Sequence, residues 1–576
     1  MFIWIIGFII IMFILFACKE DLISRSETND VKEKNQLSNT YQHNSQQSND
    51  YAKQAQEIVD KLRERVSQEE NSYFKSHESC SIPYGTTTIA DNQFFKCDKL
   101  ISVTIPDSVT SIGRLAFAGC SKLKNVIIPD SVVNISEAAF SDCIKLESII
   151  IGNGVKKISR STFMNCKSLI NVELPNNITE IEFQAFDGCS NLIGVRLGDG
   201  VLSIGENAFR GCVSLTTVIM GNSVVDVGNG AFYHCNSLTD VKVSENLKRI
   251  GNTAFMYCSN LKKFDFPYGL EEIGSCAFAH CSHISSVHIP ASINSIGTSV
   301  FSSCKKLSNI TIDVCNTKYY SEHDCIIEKE TNKLIVGCKN SILSANSTVR
   351  VIGESAFSDC EIKNIIIPYS VVDIENFAFD GCRQLTHIII PDSVTSIGVA
   401  AFRNCESLEN VVLSNNLFVI SQALFDGCVT LKSINLGNRI VGIENFAFSD
   451  CKNLSYIKLP ESVETINAAA FMNCESLELI IVPSDNTTVS DGDIIEDNNF
   501  SRELPSSFYG CEKLSIITPF SSRTAEYARK NSIPLRSLQL DSAFENEIIF
   551  DDTGATADIF DIPVSDFENW LDDLND

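Results

Sequence analysis

A cysteine that returns every 23 residues constrains this chain more than any other feature. Cys97, Cys120, Cys143, Cys166, Cys189, Cys212, Cys235, Cys258, Cys281 and Cys304 keep that spacing without a slip, and the series resumes at Cys360, Cys382, Cys405, Cys428, Cys451 and Cys474 before a last member at Cys511. Each of the seventeen follows a Phe by three residues, from Phe94 to Phe508, and thirteen of the sixteen gaps are 23 residues long. A period in the twenties means stacked coils, each unable to bury its own flanks and stable only against its neighbours. That reading overrides the several ordinary domains that 576 residues would otherwise suggest.

One coil can be followed from Leu123 to Cys143. Leu123, Val126 and Ile128 have the spacing of a short strand, and Pro129 ends it because it has no amide to donate. Asp130-Ser131 turns the chain, Val132 and Ile135 point inward from a second extended segment, and Ala139-Phe140 fills the core before Cys143 closes the coil. A buried Phe contributes about 1.5–3 kcal/mol by area, so the repeated Phe is expected to form a spine. The Gly that follows Ile at Gly113, Gly205, Gly251 and Gly398 reads as a turn residue with positive φ.

These units resemble the BspA-like leucine-rich repeats, which read Leu-x-x-Ile-x-Ile-Pro, then Ser-Val-x-x-Ile-Gly, then Ala-Phe-x-x-Cys. One coil carries Ile105-Pro106, Ser108-Val109, Ile112-Gly113 and Ala116-Phe117, and another Ile390-Pro391, Ser393-Val394, Ile397-Gly398 and Ala401-Phe402. The resemblance covers residues 80–538. It implies a right-handed repeat solenoid of about 17 units of 23 residues, with short parallel strands on the concave face and short strands or helical turns on the convex side. It also implies a protein that binds macromolecules, since members of the family are associated with attachment to host matrix components, other microbes or host cells.

Irregularities interrupt the array. From Cys304 to Cys360 is 56 residues, and 313–343 lacks the Phe-x-x-Cys signature, as a hairpin insertion that bends or flanks the solenoid would. Residues 484–503 form a second insertion, whose polar, acidic run reads as a protruding loop. Residues 521–538 resemble the terminal unit that closes such arrays and would cover an open sheet end.

Outside the repeats, Met1 to Ala17 is free of charge and rich in Ile and Phe, which makes it a signal peptide or an N-terminal anchor. Leu15-Phe16-Ala17-Cys18 resembles a lipobox, which implies lipid attachment at Cys18; an uncleaved anchor is the alternative, favoured by bulky Phe16 and the lack of a basic start. Either places the chain at a membrane, with display at a bacterial cell surface the expectation. Residues 18–79 are a polar tether in which 51–69 has a helical apolar face, either capping the first coil or self-associating. Residues 539–576 form an acidic tail: Asp541 to Asp576 holds twelve Asp or Glu and no Lys or Arg. It reads as a solvated tail, or as a docking motif through Ile559, Phe560, Ile562, Phe567, Trp570 and Leu571.

A balance of 46 basic against 72 acidic side chains, −26 net, argues against nucleic acid as a partner. No Cys-x-x-Cys pair occurs among the 23 cysteines, so no metal site is expected, and the ladder cysteines read as buried thiols rather than disulfides. The eight His are scattered, with His234 and His280 on a solvent-facing edge, and no nucleophile elbow, Walker loop or His-Glu-x-x-His stretch occurs. No enzyme, cofactor or small-molecule substrate is expected. The alternative to an adhesion or recognition protein is a scaffold retained in the envelope or inside a cell.

Partner binding points to the position about seven residues after each Cys, which strand alternation turns outward between two core residues. It runs Ile127, Ile150, Glu173, Arg196, Ile219, Lys242, Asp265 and His288, then Ile366, Ile389, Val412, Asn435 and Lys458. The candidates are a charged patch at Arg196, Lys242, Asp265 and His288 and an apolar stripe at Ile366, Ile389 and Val412. The competing reading is that β-branched residues simply suit an exposed strand.

Overall fold

The computed structural model describes residues 76–497 and 500–536, with two further short strands at 549–550 and 556–557. The described chain is a parallel-strand solenoid of about 20 turns. Two ladders run along it. The first carries the longer strands, such as Asn125–Ile128 and Ser148–Ile151, and the second the two-residue strands, such as Asn134–Ile135 and Lys157–Ile158. Pairing is parallel and displaced by one coil, as in Val126 with Ile149 and Ile181 with Ile204. Within the regular coils a single sequence period therefore sets the register.

Alternation decides what each strand buries. Asn125 and Ile127 are exposed while Val126 and Ile128 are buried, and on the second ladder Asn134 is exposed above buried Ile135. Phe140 and Cys143 complete the slice of core, both with no exposed surface. The Phe side of the coil is a run of turns in which every second amide bonds outward: Ala138, Phe140 and Asp142 donate to the carbonyls of Arg160, Thr162 and Met164 in the next coil. To keep that pattern the backbone takes a positive φ two residues before and two after the Phe, at Ala138 (55°) and Asp142 (57°). The same two places hold positive φ in coil after coil, whether the residue is Gly119, Leu115, Tyr257 or Phe377.

The Gly residues expected to turn the chain do something else. Gly113, Gly205, Gly251 and Gly398 are absent from the positive-φ residues. A Cβ at each would lie 2.4–2.7 Å from a neighbouring coil, most often from its backbone, so here Gly permits close stacking.

The Phe rings stack face to face from Phe94 to Phe301, with centroids 4.8–5.7 Å apart, and again from Phe357 to Phe508. Between the two runs lies the insertion, which is built into the stack and does not flank it. Strands Tyr319–Glu322, Cys325–Glu328 and Lys333–Val336 form an antiparallel meander, and the last joins the second ladder in parallel with Val351–Ile352. Both faces are buried: Ile326 and Val336 belong to the core before it, Cys325, Ile327 and Leu334 to the core after it. The insertion is a septum dividing the buried apolar residues into two clusters.

The second insertion is likewise no simple loop, since Asp493–Asp497 and Phe500–Leu504 pair as an antiparallel hairpin. Beyond it the helix Arg523–Lys530, capped by the Ser522 hydroxyl accepting from the Ala525 amide at 3.0 Å, buries Thr524, Ala525, Tyr527 and Ala528. Tyr527 lies 6.1 Å from Phe508 and so ends the ring column. Strand Leu535–Arg536 pairs with Ser515–Ile517. None of the helices among the described residues is long and apolar enough to cross a membrane.

Candidate interaction surface

The outward column of the first ladder is broken into separate sheets. Arg196 and Lys242 share a four-stranded one, with Ile219 in register between them. Arg196 also pairs in register with Glu173, its Nε 3.6 Å from Oε1, both side chains well exposed. Asp265 is exposed but lies in a coil with no first-ladder strand, where it meets Lys263 at 2.8 Å. That coil carries Phe264 and Phe266 where its neighbours carry Val241 and Val243 or Val287 and Ile289. The larger rings turn edge-on to the spine, Phe264 at 5.0 Å from Phe255 and Phe266 at 5.5 Å from Phe278, and the ladder opens at this level. His288 begins again on a two-stranded sheet, its Nδ1 2.9 Å from Thr311 Oγ1. The four charged residues thus follow one column but not one continuous sheet.

The apolar stripe is shorter than its sequence positions suggest. Ile389 and Val412 pair directly and are 40% and 38% exposed. Ile366 is half-buried and outside any strand, because the coil from Cys360 to Cys382 is one residue short and its first-ladder segment does not pair. A more exposed apolar pair in the same column was not singled out from the sequence: Ile127 and Ile150, in register, at 61% and 59%. The sequence gives them the same residue type as Ile366 and Ile389, so type alone does not separate the cases.

Two further features lie off this column. His234, Tyr257 and His280 occupy the positive-φ place before the cysteine in successive coils and stack face to face at 4.4 and 4.3 Å. Burial holds the His280 imidazole below its usual pKa, against a smaller upward pull from Asp359. On the second ladder, Arg160, Glu180, Glu182, Glu206, Asp226 and Arg249 line a shallow surface groove. Asp226 there binds Arg249 through both oxygens, at 2.6 and 3.2 Å.

The ladder thiols serve the core. From Cys120 to Cys304 each donates to the Phe carbonyl of the coil before, as Cys143 Sγ does to Phe117 O at 3.2 Å, and no described cysteine is in a disulfide. Burial pushes the Cys304 thiol up to about 12 and central ones such as Cys212, Cys258 and Cys281 well above their usual value. Among the described residues no three His, Cys, Asp or Glu gather in a way that could hold a metal ion. Cys18 lies outside the described residues.

The profile of the BspA-type leucine-rich repeat region, six copies long, matches residues 68–193, 180–308, 331–441 and 373–500. Among solved structures, a leucine-rich repeat protein from Eubacterium ventriosum is 27% identical over 50% of this chain and 78% of its own, with a TM-score of 0.45. A leucine-rich cell surface protein from Faecalibacterium prausnitzii is 28% identical over 70% of this chain and 87% of its own, with a TM-score of 0.37. A leucine-rich repeat protein of T. pallidum is 34% identical over 28% of this chain and 78% of its own, with a TM-score of 0.27. No curated protein matches.

Proposed function

Since the chain belongs to the BspA-type leucine-rich-repeat family, we propose that it is a membrane-tethered recognition or adhesion protein of the cell surface, binding protein or other macromolecular partners through the outward column of its first ladder. The observation that carries this reading is the contrast within one strand. Core positions stay apolar and nearly all Val, Ile or Leu, with Met220, Phe264 and Phe266 as exceptions, while the column between them passes from Ile150 to Glu173, Arg196, Ile219 and Lys242. Folding constrains the first set and leaves the second free for a partner. Side chains repeated about every 4.8 Å over many coils suit an extended macromolecular surface. The contact residues on this reading are Arg196, Lys242, Asp265 and His288, and Ile389 with Val412, Ile366 contributing least. The tether would be lipid on Cys18 after cleavage before it, the retained apolar run of residues 1–17 being the alternative.

Protease treatment of intact cells tests display: loss of the repeats from the cells is expected, whereas full protection would favour a scaffold held inside the envelope. Labelling with a clickable fatty acid should be lost in Cys18→Ala. Against a partner found by proximity labelling on those cells, Ile389→Thr/Val412→Thr and Arg196→Glu/Lys242→Glu should each weaken binding about tenfold with little change in Tm. If both variants bind as the parent does, this column is not the interface.

A further inference from the structure

Three consecutive coils place a lysine at one register: Lys99, Lys122 and Lys145 each follow the coil's cysteine by two residues. The strands after them align Ser102 with Asn125 and Asn125 with Ser148, so the lysines stand on adjacent levels about 4.8 Å apart. All three are exposed, and among the described residues none forms an ion pair with a carboxylate. Like charges set side by side on neighbouring levels repel one another, as they do on paired strands. The fold does not demand them, because the same place in the following coils holds Ser168, Asn191, Ser214, Ser237 and Asn260. In a chain of net charge −26, residues 94–170 carry ten Lys or Arg against six Asp or Glu. Ile127 and Ile150, on the same coils, are the two most exposed isoleucines among the described residues, at 61% and 59%.

We propose that this basic and apolar surface receives the acidic C-terminal tail of a second copy of the chain. Residues 541–576 are complementary in both respects, with twelve carboxylates, no Lys or Arg, and Ile559, Phe560, Ile562, Phe567, Trp570 and Leu571 set among them. Charge draws the two together, and burial of the apolar side chains against Ile127 and Ile150 holds them. Reach selects a second copy over the same chain. Strand Leu535–Arg536 lies roughly 17 levels along the stack from Asn125–Ile128, on the order of 80 Å. The chain from 537 to 558 spans at most about 75 Å when fully extended, so a chain's own Ile559 and Phe560 could reach these coils only if pulled taut, at a large entropic cost. An interface joining the tail of one copy to the early coils of the next does not close on itself, so it can repeat into longer assemblies.

Sedimentation equilibrium of the full-length chain in mild detergent should show association that grows with protein concentration and weakens as NaCl is raised from about 0.1 to about 0.5 M. Lys122→Glu/Lys145→Glu, and separately Phe560→Ser/Trp570→Ser, should each abolish it while leaving the thermal melt unchanged. Mixing the two variants should restore a dimer, because the mixture holds one intact surface and one intact tail. A chain that stays monomeric, association unaffected by either pair of substitutions, or a mixture that fails to pair would each overturn the proposal. A fluorescent peptide of residues 549–572 should bind the parent and lose about tenfold in affinity for the charge-reversed variant. Peptide binding by a chain that remains monomeric would mean that the tail folds back on its own coils, and would also overturn it.

Discussion

Phe255 has its ring 5.1 Å from Phe232 and 5.3 Å from Phe278, with Phe264 edge-on at 5.0 Å and no exposed surface of its own. Phe255→Ala should therefore open a cavity that the stacked neighbours cannot fill, costing about 3–5 kcal/mol in denaturant unfolding. The thiols beside this spine predict a second result. Burial raises their pKa, so little thiolate is present at pH 8, and they are also shielded from reagent. A bulky maleimide should label exposed Cys315 in the native protein and the fully buried ladder thiols only after denaturation, with no reductant needed. Thiols that stay silent until reductant is added would show disulfides instead. The spine and its thiols were legible in the sequence because one residue type recurs at one spacing. The backbone conformation was not. Positive φ falls at Leu115 and Tyr257, residue types that give no hint of it, because the hydrogen bonds to the next coil impose it. Gly113 is explained by backbone 23 residues away, which a local reading cannot see.

The larger irregularities were visible as losses of the Phe-x-x-Cys signature, but what replaces it was not. Residues 325–327 are buried on both faces, and a run of apolar residues does not say whether it has one partner or two. The candidate surface was legible in part for the same reason. Alternation gives outward positions correctly at Arg196 and Lys242, but the opening of the ladder at Phe264 and the loss of pairing at Ile366, where the coil is one residue short, depend on packing between coils. At the C-terminal end, the helix Arg523–Lys530 is tied to the solenoid by Asp491, which pairs with Lys530 and accepts from Asn531 Nδ2 at 2.9 Å. The Lys530 and Asn531 hydrogen bonds hold the Asp491 carboxyl below the usual carboxylate range. A carboxylate whose folded pKa is depressed stabilises above its unfolded pKa, and that contribution is lost as pH falls through the folded value. Amide protection in 523–530, taken relative to the intrinsic exchange rate, should accordingly fall below about pH 4, and Asp491→Asn should remove this pH dependence. The effect should be below about 1 kcal/mol, since the pair is largely exposed. Equal acid response in parent and variant would assign the change to other groups.

Along the whole array stability is carried from neighbour to neighbour, so a seam matters more than its size suggests. The septum is such a seam. At the Cys edge the coils on either side still touch directly, Ser303 donating from its amide to Ser358 O at 3.1 Å and from Oγ to Asp359 Oδ2 at 2.6 Å. At the spine they do not, because Gly337 takes the place against Phe357 that a neighbouring Phe occupies elsewhere. Its amide donates to Ala356 O at 2.8 Å, and a Cβ there would lie only 2.0 Å from Phe357 Cε1. Gly337→Val must displace either the ring or the septum strand, at a cost of about 1–3 kcal/mol or more that falls first on the contact between the two core clusters. Neither cluster loses a core residue of its own, so each should keep its internal stacking while the coupling between them weakens. Calorimetry should resolve two transitions in Gly337→Val, and adding Phe255→Ala to that background should lower only the one belonging to the coils before the septum. A single transition that moves as a whole in both variants would show that the coils couple through the Ser303 edge alone and that the septum does not divide the solenoid.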